Sequence, residues 1–69
     1  MKRIPVSSSN IAAIGYDSNT QTLEVEFNSG SIYQYFDVPQ TIYEALINAE
    51  SVGKCFIGQI KGYYRYAKA

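Results

Sequence analysis

The chain has 69 residues, six basic and six acidic, with 46% hydrophobic and 17% charged residues. This is the composition of one folded domain rather than of a disordered chain, though one so short that it buries only roughly 60% of the surface its unfolded form exposes. A lone Cys55 and the absence of histidine exclude an internal disulfide, the His/Cys zinc sites and every nucleophile that relies on a histidine base.

No apolar run approaches the about 18 residues of a membrane span, and "MKRIPVSSSN" lacks the apolar core of a secretory signal. The expectation is a soluble, unexported protein of the cytoplasm. Its charges are unevenly placed. All six acids lie between Asp17 and Glu50, whereas Lys54, Lys61, Arg65 and Lys68 follow with no acid among them. A basic end with interleaved aromatics is a modest nucleic-acid signal.

After the polar start, "IAAIGYD" (11–17) predicts a first strand, weakened by two alanines and a glycine, and "DSNTQ" a turn. "TLEVEF" then alternates strictly, with Leu23, Val25 and Phe27 on one face and Glu24 and Glu26 on the other. This is a half-buried strand. Gly30 can take the positive φ of a tight hairpin, so "SIYQYF" pairs antiparallel with it.

The hairpin admits two registers. A two-residue turn at Ser29-Gly30 puts Tyr33 and Tyr35 on the glutamate face, while a three-residue loop with a glycine bulge places Val25 opposite Tyr33 and Leu23 opposite Tyr35. One residue decides between exposed tyrosines and core tyrosines.

"TIYE" (41–44) has the form of a capping box, with Thr41 and Glu44 bonding each other's amides, although Pro39 offers an alternative helix start. Ile42, Ala45, Leu46 and Ala49 then mark a core-facing stripe. Ser51 is a candidate N-cap of a second, shorter helix in which Phe56 and Ile60 stack, with Gly58 and Gly62 limiting its length. "GYYRYAKA" ends as an extended arm, or as a fourth strand if Tyr64 and Tyr66 find a sheet edge. The expected fold is α+β: a three-stranded antiparallel meander followed by one or two short helices packed on one face. Leu23, Val25, Phe27, Val38, Ile42, Leu46, Phe56 and Ile60 form its expected core.

Catalytic motifs are few and weak. Ser51-Val52-Gly53-Lys54 has the Ser-x-x-Lys spacing of some acyl-transferring enzymes without its companion motifs. A phosphate-binding loop is ruled out by Asn48 where glycine belongs and Cys55 where serine or threonine belongs. Glu24 and Glu26 read as solvated glutamates rather than an acid–base pair, and Cys55 as a small buried hydrophobe. No catalytic residue, metal or cofactor is expected, and the chain is read as a non-enzyme.

The remaining constellation is aromatic and basic: Tyr33 and Tyr35 on the sheet, then Tyr63, Tyr64 and Tyr66 among Lys54, Lys61, Arg65 and Lys68. Aromatic faces stack on unpaired bases and cations neutralise phosphates. The competing reading is that tyrosines simply pack a small domain, ring buried and hydroxyl wet.

"VSSSNIAAIGYD", "TLEVEFNSGSIYQYFDVP", "IYEAL" and "SVGKCFIGQIKGYYRY" together resemble the KTSC domain, a small bacterial module also found at the C-terminus of some lysyl-tRNA synthetases. The resemblance covers about residues 6–66 of a single domain spanning 1–69. Its most specific part is matched by Phe27, Gly30, Tyr33, Tyr35, Val38, Pro39 and Tyr43, and later by Ser51, Gly53 and Phe56. It implies a nucleic-acid partner, RNA or tRNA, by association with the synthetases. Members are expected to end in an arginine-rich stretch; Gly58, Gln59 and Lys61 thin that charge here, which implies weaker phosphate binding. The expected site is Lys54, Lys61, Tyr63, Tyr64, Arg65, Tyr66 and Lys68. The alternative is a protein-interaction module that docks through a sheet edge or the tyrosine face.

Overall fold

A computed structural model describes residues 2–69. The chain order is β1 (Arg3–Pro5), β2 (Ile11–Asp17), β3 (Thr22–Phe27), β4 (Ile32–Tyr35), α1 (Gln40–Ile47), α2 (Val52–Gln59) and β5 (Tyr66–Lys68). All strands belong to one antiparallel sheet in the order β1-β2-β3-β4-β5. The α+β class holds, with both helices on one face, but the sheet has five strands where the meander predicts three. Both additions are three-residue strands at the two edges. Each exists because a neighbouring strand offers it hydrogen bonds, and neither carries a periodic signal of its own.

The hairpin register is settled by Gly30. Phe27 N–H donates to the Ser31 carbonyl at 2.9 Å and Gly30 N–H to the Phe27 carbonyl at 2.9 Å, while Gly30 sits at φ +96°. Asn28, Ser29 and Gly30 therefore form the three-residue loop, a conformation only glycine reaches without strain. Leu23 pairs with Tyr35 and Val25 with Tyr33. The tyrosines share the apolar face, and Gln34 joins Glu24 on the other.

That apolar face is the core. Leu23, Val25, Ile11, Ile14 and Tyr35 from the sheet meet Val38, Leu46, Val52, Phe56 and Ile60. Six of the eight expected core residues are buried, whereas Phe27 and Ile42 pack against the cluster only partly buried. Ile11 and Ile14 are additions, and so is Tyr35.

Helix α1 begins differently from the capping-box expectation. Pro39 occupies the N-cap at φ −62°, its carbonyl accepts from the amides of Ile42 and Tyr43, and no side chain caps the helix. The helix thus starts two residues earlier than a Thr41 cap would allow, with Pro39, whose fixed φ suits the position, in the cap. The helix ends at Ile47, so Ala49 lies beyond it, and Ala45 is exposed. Helix α2 follows the expected pattern: Ser51 Oγ accepts from the Lys54 amide, and Phe56 and Ile60 are buried one turn apart. Gly53 faces the serine loop, with Ser8 Oγ 3.4 Å from where a Cβ would sit, an ordinary contact distance.

Candidate functional site

Helix α2 covers only part of the sheet's apolar face. Beyond its edge an open cleft runs along β4 and β5, about 450 Å³ in volume, with Phe27, Tyr33, Tyr35, Phe56 and Tyr66 as walls and Lys61 at its rim. The rings form a continuous cluster. Phe56 meets Phe27 and Tyr35 edge-on at 5.6 and 5.5 Å between centroids, and Tyr66 lies tilted over Tyr33 and Tyr35 at 5.9 and 5.6 Å.

Strand β5 creates this arrangement. Its register puts Tyr66 opposite Tyr35 and Lys68 opposite Tyr33, so both side chains stand on the apolar face and Ala67 faces away. Tyr66 keeps one side on the cluster and remains 61% exposed. Burial, with the neighbouring Tyr66 and Tyr33 phenols adding to it, pushes the Tyr35 phenol up. It is neutral at any physiological pH.

A second recess of about 440 Å³ lies on the other side of the same wall and shares Phe27, Tyr33, Phe56 and Lys61 with the first. Its remaining lining is mixed: Ser9, Asn10, Asn28, Ser29 and Ser31 from the loops before β2 and between β3 and β4 form a polar wall, while Ile11, Gly53 and Ile57 complete it. Neither recess is lined by an aspartate or glutamate.

The seven candidate residues are thus distributed unevenly. Lys61 and Tyr66 line the aromatic cleft, Lys68 stands on its strand, and Tyr63 is exposed directly after Gly62, itself a lining residue. Tyr64 is half-buried against the core. Lys54 sits apart, on α2 beside Ser7, Ser8 and Glu50. Arg65 is engaged elsewhere: Nη2 bonds Asp37 Oδ2 at 2.9 Å and the guanidinium lies 5.6 Å from the Phe36 ring centre. Sequence reading had no means of assigning the polar walls Ser9, Asn10, Asn28 and Ser31, which are brought together only when the two loops fold side by side.

The opposite sheet face carries the acids. Arg3 reaches across Gly15 to pair with Glu24 and, through Nε, with Glu26 at 3.3 Å, and Gln34 Nε2 donates to Glu24 Oε2 at 3.0 Å. Glu24 is only 8% exposed, not the solvated residue its strand pattern suggests. The Gln34 amide and then the Arg3 guanidinium hold its carboxyl below the usual carboxylate range, against the opposing pull of burial. Among the described residues no cluster of three or more His, Cys, Asp or Glu is placed to hold a metal ion, and no helix is long and apolar enough to cross a membrane.

The model of the KTSC domain family matches residues 7–64. The chain belongs to that family. The crystal structure of a KTSC domain protein from Yersinia pestis superimposes with a TM-score of 0.96 at 41% identity, covering 99% of this chain and 96% of the other. An uncharacterised protein of Stutzerimonas stutzeri is 45% identical over 67 residues, which are 96% of this chain and 94% of that protein. A lysine–tRNA ligase of a Nostoc species carries a segment 54% identical over 56 residues; the match takes in 81% of this KTSC domain but only 10% of the ligase. The same module therefore occurs both as nearly a whole protein and as a small part of a large one.

Proposed function

We propose that this KTSC domain is a non-enzymatic nucleic-acid-binding module, with RNA as its ligand, and that the aromatic cleft and its lysines form the binding surface. The observation that carries this reading is the half-exposed ring of Tyr66 on a platform of Tyr33 and Tyr35, with Lys61 and Lys68 beside it and no acid in the lining. An exposed ring backed by other rings stacks a base without losing much side-chain freedom, and two ammonium groups serve the flanking phosphates. Tyr63 and the half-buried Tyr64 extend the aromatic surface. Lys54 and Arg65 contribute longer-range positive potential, Arg65 less because Asp37 offsets it. The occurrence of a similar segment in lysine–tRNA ligases supports the same direction.

Titration of labelled tRNA and of single-stranded RNA at low salt tests this. Saturable binding is expected, weakening with a log–log salt slope of roughly 0.7 per phosphate contacted. Lys61→Glu combined with Lys68→Glu should abolish it. No binding at high micromolar protein, or binding indifferent to both charge reversals, overturns the reading.

A protein-docking module is the second reading, and the observation favouring it is that β5 ends the sheet, with Tyr66 and Lys68 on an edge strand that no further strand covers among the described residues. Such an edge can accept an extended segment of a partner. Salt separates the two: docking of this kind hardly responds to ionic strength, whereas phosphate contacts do.

A further inference from the structure

The two recesses differ in chemistry and share one cation, and this asymmetry bears on what kind of RNA segment fits. We infer, building on the nucleic-acid reading above, that the cleft takes an unpaired dinucleotide step: one base stacked in the aromatic recess on Tyr66, the intervening phosphate at Lys61, and the adjoining base held by its edge against the serine and asparagine wall.

Lys61 lines both recesses, so an anion held there has an aromatic cavity on one side and, on the other, a cavity with a serine and asparagine wall beside Ile11 and Ile57. A nucleic-acid strand alternates in the same way, with a phosphate between two bases. The aromatic side offers π-faces, which every base satisfies equally, and the polar side offers donors and acceptors, which distinguish one base edge from another. Asn10 and Ser31 line it, and among the described residues no hydrogen bond engages either side chain; Asn28 is partly committed, since its Nδ2 donates to the Ser9 and Ser8 carbonyls at 2.9 and 3.3 Å. The stacking recess therefore supplies affinity and the polar recess selectivity.

Paired nucleic acid does not fit this division, because in a duplex the base faces are stacked on one another and closed to Tyr66. A docked protein helix fits it poorly too. Such a helix needs an apolar groove for successive turns, and here the apolar lining beyond Phe27 and Phe56 is reduced to Ile11 and Ile57 and is interrupted by Ser9, Asn10, Asn28, Ser29 and Ser31. The absence of acids from the lining matches a polyanion.

The test uses the full chain with short homopolymeric oligoribonucleotides of each base and an RNA hairpin as duplex control, read by fluorescence anisotropy, with circular dichroism verifying that each variant folds. Single strands should bind and the hairpin stem should not. Tyr66→Ala should weaken all four homopolymers alike, roughly five- to hundredfold, and Tyr66→Phe should restore binding. Asn10→Ala with Ser31→Ala should leave the tightest-bound homopolymer weakened and the order among the four changed.

Equal binding of stem and single strand, or a base order unmoved by the polar-wall variants while Tyr66→Ala and Lys61→Glu still weaken binding, overturns the dinucleotide assignment and leaves the broader RNA reading intact. Failure of every RNA to bind overturns both. Self-association of the chain that protects Tyr66 from solvent quenchers assigns the cleft to a second copy instead, and overturns it as well.

Discussion

The two faces of the sheet are built from the same strands and differ by one residue of alternation, yet they are held together by different physics. On one face Leu23, Val25, Tyr33 and Tyr35 lose water against the helices. On the other, Gly15 and Ala13 leave a shallow floor over which Arg3 lies to reach Glu24 and Glu26. The first face stabilises through buried apolar area, and the second through satisfied polar groups whose net worth is small. The aromatic cleft opens where the first kind of packing runs out, at the end of helix α2.

The sharpest test of that contrast is removal of an apolar side chain. Leu23→Ala or Leu46→Ala, both fully buried, should cost about 2–5 kcal/mol in urea unfolding. A chain of this length has a total of roughly 3–10 kcal/mol, so either variant approaches the threshold of folding. A cost below about 1 kcal/mol would mean that the core is looser than its burial indicates.

Gly30 comes next, because it chooses which residues go to which face. Gly30→Ala forces a side chain into φ +96° and should cost about 1–2 kcal/mol, a fall in melting temperature of roughly 4–16 °C. The space around the missing Cβ is open, with no atom within 4 Å. The loss is therefore conformational rather than steric, and Gly30→Asn, which tolerates the left-handed region better, should recover part of it.

The polar face responds to pH. Glu24 has a depressed folded pKa, so the unfolded chain binds its proton more readily than the folded one. Its contribution is fully present above the unfolded value of about 4.3 and is lost as pH falls through the lower folded value. Stability measured by denaturant from neutral pH downward should therefore decline in acid, and Glu24→Gln should decline less steeply over that window. At neutral pH the same variant should cost about 1 kcal/mol, since Arg3 keeps Glu26 as a partner. An unchanged acid profile in Glu24→Gln would remove the Gln34–Glu24–Arg3 network from the account of stability.

The limits of sequence reading follow the same division. Strands β2 and β3 were legible to the residue, because alternation and turn residues are local signals. The edge strands were less so: "RIP" contains a proline and gave no strand signal, whereas the C-terminal strand was legible only as one of two alternatives, an arm or a fourth strand, because whether Tyr66 meets the edge of β4 is not a local property. Thr41 and Glu44 carried the capping pattern, but Pro39 begins the helix by its fixed φ. Ile11 and Ile14 escaped the core list because Ala12, Ala13 and Gly15 dilute their strand's pattern. Of the site, the C-terminal charges and rings were legible as composition. That Phe27, Tyr33 and Phe56 form its walls was not, because it depends on the hairpin register and on how far α2 reaches.

Arg65 gives the smallest effect and separates position from charge. Composition places it with Lys61 and Lys68, but its guanidinium is spent on Asp37, a pair whose side chains are 77% and 72% exposed. Water and salt screen such a pair, so Arg65→Gln should change stability by well under about 1 kcal/mol. Its effect on RNA affinity should also fall below that of Lys61→Gln, because Lys61 lines the cleft without a carboxylate partner in its walls. Asp37→Asn isolates the cause: by freeing Arg65 it should strengthen RNA binding slightly at low salt and not at high salt. Equal losses from Arg65→Gln and Lys61→Gln in the anisotropy titration would locate the binding surface in the net charge of the C-terminal segment rather than in the cleft.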